Sequence, residues 1–391
     1  MTNYIIGIVA FISIIALGKQ GINSKNINQT SDDEHVQVTA SNINQSNIKT
    51  KKMASNKIIR VQQMGFPWAT EDPFLFCVHH EDNYPKGEEN LGPNPDLLKG
   101  RNIGNDFVIK DGWRMYHGDV VPGFPHHPHR GFETVTIAQE GYIDHADSKN
   151  GLGRFSNGDV QWMTAGKGIL HSEMFPLLDK DKPNRMELFQ IWLNLPRKDK
   201  MVEPHYKMLW SENIPTVTEQ DANGKSISAK IIAGELNGSE ALEPTPNSWA
   251  NNKDNKVAIW TIKMEAGANW VLPKTAAGIN RTLYFYRGNQ IQIDDTTLEN
   301  NYYAKVKSDE DISIVAGDAD CYLLLLQGKP INEPVAQHGP FVMNTRQEIQ
   351  EAFMEYQRTQ FGGWKWGSAG PVHGKEKRRF AQFPDGSVVE K

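Results

Sequence analysis

From residue 57 onward, short apolar stretches recur at close spacing, separated by Gly, Pro, Asn and Asp. Segments 133–139, 159–163, 188–193, 257–264, 282–293 and 321–327 are of this kind. They are short for the apolar stripe of a core-facing helix, and they suit strands that bury one or both faces. The pattern predicts an all-β chain of sandwiches or barrels. A length of 391 residues exceeds what one hydrophobic core usually organises, which implies two such units. Segment 195–215 carries Pro196, Pro204 and Pro215, which cannot donate to a sheet ladder, and makes a natural crossing between them. The expected units are therefore 57–215 and 216–391. One helix is readable near the end. Thr345 and Glu348 have capping-box spacing, and Ile349, Phe353 and Tyr356 then share a face. Beyond Gly362 and Gly363 the chain is polar and basic, and the run 375–379 reads first as a solvated tail and second as a docking patch.

The N-terminus has a different texture. Residues 4–17 form a nearly unbroken apolar run, short for a bilayer span and long enough for the core of an export signal. Residues 1–18 are thus expected to be a signal peptide or anchor, with no Lys or Arg ahead of the run. Residues 19–56 are mostly Asn, Ser, Gln, Thr and Lys, a composition that cannot bury enough apolar surface to offset ordering entropy. They are expected to be a disordered tether. The leader implies an exported or membrane-anchored protein, and a translation start at Met53 implies a cytoplasmic one.

Charge and cysteine usage narrow the chemistry. There are 42 Lys and Arg against 47 Asp and Glu, a net charge of −5 that removes the basic footprint of a nucleic-acid binder. Cys77 and Cys321 lie far apart and form no CxxC pair, so any metal must rest on histidine and carboxylate.

His127 and His129 flank Pro128, and on a strand that spacing puts both imidazoles on one face. The same parity runs through Glu133, Val135 and Ile137, so this face is expected to become the apolar lumen of a small barrel with a metal at its mouth. Twelve histidines give roughly 0.4 His-x-His pairs by composition alone, so the pair needs a second signal. That signal is His171 and Glu173, one residue apart on an expected strand that follows a turn marked by Gly166 and Gly168. Three imidazoles and one carboxylate suffice to hold a divalent metal and leave positions open for substrate or oxygen. His126 is out of phase and should point away. His79, His80, His117 and His145 read as structural, and Glu133 as structural or as a neighbour of the ligands. Trp162, Phe132 and Phe189 read as core residues before pocket residues. The second unit has no His-x-His pair and is expected to serve packing and pocket closure.

The runs His127-Pro128-His129-Arg130-Gly131-Phe132-Glu133-Thr134-Val135 and Gln161-Trp162-Met163-Thr164-Ala165-Gly166 through Gly168, Ile169, His171, Glu173 and Met174 resemble the pirin family of the cupin superfamily. The resemblance extends from about Arg60 to segment 339–345 and the helix after it. It implies two tandem cupin barrels with metal in the first alone, and it places the family's iron ligands on His127, His129, His171 and Glu173. Fe(II) is the implied cofactor, while the donor set also admits Mn, Co, Ni, Cu or Zn. Members resemble quercetin 2,3-dioxygenases in several cases and regulatory partners of other proteins in others. The first reading is therefore a dioxygenase acting on flavonol-type, quercetin-like aromatic substrates with dioxygen, Glu173 serving as ligand or catalytic base. The alternative is a non-catalytic, redox-sensitive iron protein that regulates a protein partner. A third reading is a cupin isomerase or hydrolase that works without oxygen. Segment 81–104 is longer than the family's compact loop, and residues 1–56 lie outside its pattern.

Overall fold

The computed structural model describes residues 57–391, so the expected leader and tether lie outside the described residues. The strands of the first half are β1 (Ile58–Gln63), β2 (Phe74–Tyr84), β3 (Gly123–His129), β4 (Phe132–Glu140) and β5 (Tyr142–Asp147). They continue with β6 (Leu152–Ser156), β7 (Asp159–Thr164), β8 (Ile169–Met174), β9 (Asn184–Asn194) and β10 (His205–Leu209). One antiparallel sheet has the order β10, β7, β4, β9, β2, and the opposing sheet contains β6, β5, β8, β3. Ala138 and Leu188 of the first meet Ile143 and Phe155 of the second, and this contact fills one end of the first barrel. Strand β10 lies inside the proline-bearing crossing and pairs with β7, so that segment also closes an edge.

The second barrel repeats the plan. Thr216–Gln220, Ser226–Ala233, Ala258–Met264, Asn280–Arg287, Tyr302–Val306 and Cys321–Gly328 share a large sheet. The facing sheet holds Asn269–Leu272, Gln290–Ile293, Thr296–Glu299 and Ile312–Ala316. The expected single stretch over 282–293 is thus two strands in different sheets, broken at Gly288. Trp260, Leu283 and Leu325 pack against Ile291, Leu298 and Ile314 inside. The two barrels meet where the five-stranded sheet of the first faces the seven-stranded sheet of the second. Val135, Ile137, Trp162 and Ile191 pack on Ile232, Ile259, Leu324 and Leu326. Strands in this layer are buried on both faces, which is why 321–326 reads as a continuous apolar run rather than an alternating one.

The two ends of the described residues are exchanged between the barrels. Strand β1 pairs with Tyr302–Val306 in the second barrel's sheet, and Phe380–Gln382 adds to β6 in the first barrel's. The tail is therefore not a solvated arm. Trp366 Nε1 donates to the Asp147 carbonyl, His373 donates from its backbone to Asp144, and Lys377 pairs with Asp179. Trp364, Trp366, Val372 and Phe380, interleaved with the basic residues, supply the apolar contacts that a solvated tail lacks. Helix α1 (Arg346–Thr359) starts at the Thr345–Glu348 capping box, and Ile349, Ala352 and Tyr356 pack with Leu170, Phe341 and Phe361. Leu170 precedes His171, so the helix backs the strand that carries two of the site residues.

Candidate metal centre

Strands β3 and β8 are antiparallel neighbours, with His127 opposite His171 and His129 opposite Ile169. The register slips between Phe124 and His127, a bulge at Pro125 and His126 that re-aims the strand. The Pro125 carbonyl accepts a hydrogen bond from His127 Nδ1 at 2.9 Å, which requires the proton on Nδ1 and leaves Nε2 as the free lone pair. His126 is turned outward and stacks on Trp364 with ring centroids 4.8 Å apart.

The bulge and the pairing bring His127, His129 and His171 together, with ligand-capable nitrogens all within 4.8 Å of one another. Their exposures are 8%, 3% and 0%. Burial pulls the His127 pKa down to about 4 and those of His129 and His171 well below the usual histidine range, with the His127 charge as the second cause for the latter two. All three are neutral at pH 7 and offer lone pairs. His129 Nδ1 and both nitrogens of His171 are buried without a hydrogen-bond partner among the described residues. Each orphaned polar atom costs about 1–3 kcal/mol if left so. A cation shared by the three rings would relieve that cost, so the residues fit a divalent transition ion.

Glu173 lies on the same strand face, its Oε2 3.8 Å from His171 Nε2. The Thr136 hydroxyl lies 3.0 Å from Glu173 Oε1 and 2.5 Å from Gln190 Oε1 and shares its one proton between these two acceptors. Gln190 Nε2 donates to Glu173 Oε2 at 3.3 Å. Burial raises the carboxyl pKa, partly opposed by the Thr136 bond. Thr136 and Gln190 belong to no motif. They are found only once β4 and β9 are known to face β8 across the lumen. His145 also lies here, opposite Glu173 on β5, with Nε2 3.2 Å from Asp147 and its ring 5.6 Å from that of His171.

The expected continuation of the histidine face through Glu133, Val135 and Ile137 fails at a corner. Gly131 has φ 84°, and across it the chain leaves the sheet of β3 and enters that of β4. Alternation restarts there, so Val135 and Ile137 face the second barrel while Thr136 faces the lumen. Glu133 is fully buried at that inter-barrel layer, accepting hydroxyl bonds from Thr164, Thr245 and Ser248 at 2.7, 2.7 and 2.6 Å. Trp162 and Phe189 sit in the same layer. Phe132 is a core residue too, fully buried in a separate cluster with Phe76, Trp192 and Val342, and its ring centroid lies 5.1 Å from that of His129 and 4.2 Å from that of Trp192.

On the opposite side, the Phe124 ring lies 6.3 Å from His127 and meets Phe107 and His117 at 6.3 and 5.9 Å. The long stretch after β2 thus reaches the mouth. It is fixed by Arg101, whose guanidinium lies 3.4 Å over the Trp113 ring and pairs with Asp106. His80 joins a buried network with Tyr116, Asp82 and Arg114, and His79 stacks on Phe189 and contacts Glu187, so both serve structure.

Comparison with known proteins agrees with this geometry. The Pirin family model matches residues 60–193, and the Pirin C-terminal cupin domain model matches residues 259–362. A pirin-like protein of Solanum lycopersicum is 38% identical over 240 residues, 60% of this chain and 75% of that one. Pirin of Rattus norvegicus is 36% identical over 254 residues, 63% of this chain and 80% of that one. The crystal structure of quercetin 2,3-dioxygenase from Acinetobacter baumannii superposes with a TM-score of 0.62 at 27% identity, covering 78% of this chain and 98% of that one. With two barrels of cupin type, a buried histidine triad in the first and both family models matched in order, the chain belongs to the pirin family.

Proposed function

We propose that this protein is a metal-dependent dioxygenase of flavonol-type aromatic substrates, with His127, His129, His171 and Glu173 holding one divalent ion, Fe(II) in this reading. The observation that carries it is the layout of three neutral imidazoles and a carboxylate between two aromatic walls. Similarity to a solved quercetin 2,3-dioxygenase supports the substrate class. When bound, the ion supplies a Lewis-acid centre and a template for substrate and dioxygen.

The remaining work falls to the chain. Phe124 on one side and Trp192, backed by the buried Phe132, on the other offer aromatic surface to a planar substrate. Glu173 takes the substrate hydroxyl proton on its carboxylate, and its burial makes it a stronger base than a surface glutamate. Thr136 and Gln190 hold that carboxylate in place. The test is oxygen uptake with quercetin by the metal-loaded protein. Uptake well above a His129→Ala control supports the proposal, and uptake equal to the control rejects it. If uptake fails while metal is retained, a difference in partner binding between the Fe(II) and Fe(III) forms would support the regulatory reading instead.

A further inference from the structure

The second barrel has its own cavity, of about 550 Å³, at the end where Gly234, Leu242, Val257, Pro273 and Arg281 converge. It lies in the other barrel from the histidine cluster and shares no residue with it. Arg281 is 2% exposed and stands on the strand Asn280–Arg287 with Leu283 and Phe285, which face the lumen. Gln327 lies directly opposite on the neighbouring strand.

Five arginines are buried among the described residues, and four of them have a carboxylate within ion-pair distance. Arg101 pairs with Asp106, Arg114 with Asp82, Arg130 with Glu355 and Arg154 with Asp144. Arg281 has none. Its Nε donates to Gln327 Oε1 at 2.6 Å and its Nη1 to the Pro273 carbonyl at 2.9 Å, both neutral acceptors. Gln327 is held in turn by its own bond to the Lys256 carbonyl. The guanidinium is thus fixed in place, and Nη2 has no partner among the described residues. Asp311, whose charge reaches Arg281, is engaged by the Lys274 backbone amide.

A buried cation without a paired counter-ion is unfavourable unless something in the site offsets it. Burial lowers the Arg281 pKa to about 10, with the more distant Asp311 opposing the shift, so the side chain is charged at pH 7 and has no carboxylate in ion-pair contact among the described residues. Lys256 and Lys274 line the same cavity without a carboxylate partner among the described residues, whereas Lys253 is paired with Glu240 at 2.7 Å. Glu235 and Glu243 also border the cavity, and Glu243 lies 3.7 Å from Lys207. Trp260, Leu236, Leu242 and Val257 give the remaining wall an apolar character.

We infer that the cavity of the second barrel is a binding site for a small organic carboxylate with an apolar body, its carboxylate accepting from Arg281 and its body lying against Trp260 and Leu242. Guanidinium with fixed planar donors suits a carboxylate, and the apolar wall selects against small inorganic anions.

The test is isothermal titration of the full chain at low ionic strength with benzoate, phenylacetate and 3-phenylpropionate, with benzyl alcohol as the uncharged control and inorganic phosphate as the plain anion. One or more of the three acids should bind with one site per chain, at least tenfold more tightly than benzyl alcohol or phosphate. Arg281→Met should weaken that binding at least tenfold. His129→Ala should leave it unchanged, which separates this site from the first barrel. If Arg281→Met does not fold, Lys256→Met with Lys274→Met carries the test and should weaken binding severalfold. Absence of binding by all three acids, binding lost in His129→Ala, binding retained in Arg281→Met, or phosphate binding as tightly as the acids would each overturn the inference.

Discussion

Replacing Glu133 with Ala separates two roles that its place in the sequence leaves together. Beside the histidine motif it reads as structural or as a neighbour of the ligands, and in the fold it is structural, facing the second barrel. Three hydroxyl bonds end on its carboxylate, from Thr164, Thr245 and Ser248. At about 1 kcal/mol each they account for about 3 kcal/mol. The space left between the barrels adds about 1–2 kcal/mol. Two terms subtract: the carboxylate no longer has to be desolvated, and Thr164 and Thr245, 2.7 Å apart, can turn a released hydroxyl proton to each other. The expected net loss is about 3 kcal/mol, which shifts the thermal midpoint by several degrees in a chain of this size. Glu133→Gln keeps the volume and one acceptor and should lose about half as much. Urea unfolding together with metal analysis on the same samples reads both quantities. The reasoning predicts reduced stability with metal content unchanged, and Glu133→Ala protein of normal stability that has lost its metal would refute it.

Thr136→Val keeps the shape of the side chain and removes the hydroxyl that donates to Glu173, so metal affinity should fall about 10- to 100-fold while the fold survives, as competition with a chromogenic chelator would show. Gly131→Ala should cost more than about 2 kcal/mol, because φ is 84° and the new Cβ would lie 2.0 Å from the Val342 carbonyl oxygen; a denaturation midpoint equal to wild type would contradict this. Lys200 is buried, bonded to the Gly131 carbonyl and Asn194, and burial lowers its pKa from 10.5 to about 7. Below about pH 7 both folded and unfolded chains hold its proton and the cost of burying the charge is fully present; from about 7 to 10.5 the folded chain sheds the proton first and stability rises, by up to about 5 kcal/mol. Urea unfolding across that window should show the rise in wild type and a flatter profile in Lys200→Met.

Signals confined to a few neighbouring residues were legible in the sequence. Short apolar stretches marked the strands 159–163 and 321–327, and Thr345 with Glu348 marked the start of α1. His-x-His and His-x-Glu spacing placed the four candidate residues on strand faces. What could not be read depends on partners remote in the chain. Strand β1 pairs with residues such as Tyr303, and Phe380–Gln382 with β6, pairings across more than two hundred positions that leave no local pattern. The turn of face at Gly131 was missed because parity holds only within one strand, and a glycine corner between sheets resets it. Thr136 and Gln190 were missed for a related reason: their role comes from strands meeting across the lumen. Arg281 is unremarkable in sequence and becomes conspicuous only when every other buried arginine is seen beside a carboxylate.

The most direct test of the central claim is elemental analysis of protein purified from its own host, comparing wild type with His171→Ala and Arg281→Met. A metal centre in the first barrel predicts close to one transition ion per chain in wild type and in Arg281→Met, and well under a tenth of that in His171→Ala. Metal-free wild type, or His171→Ala protein that keeps a full complement of metal, would contradict it.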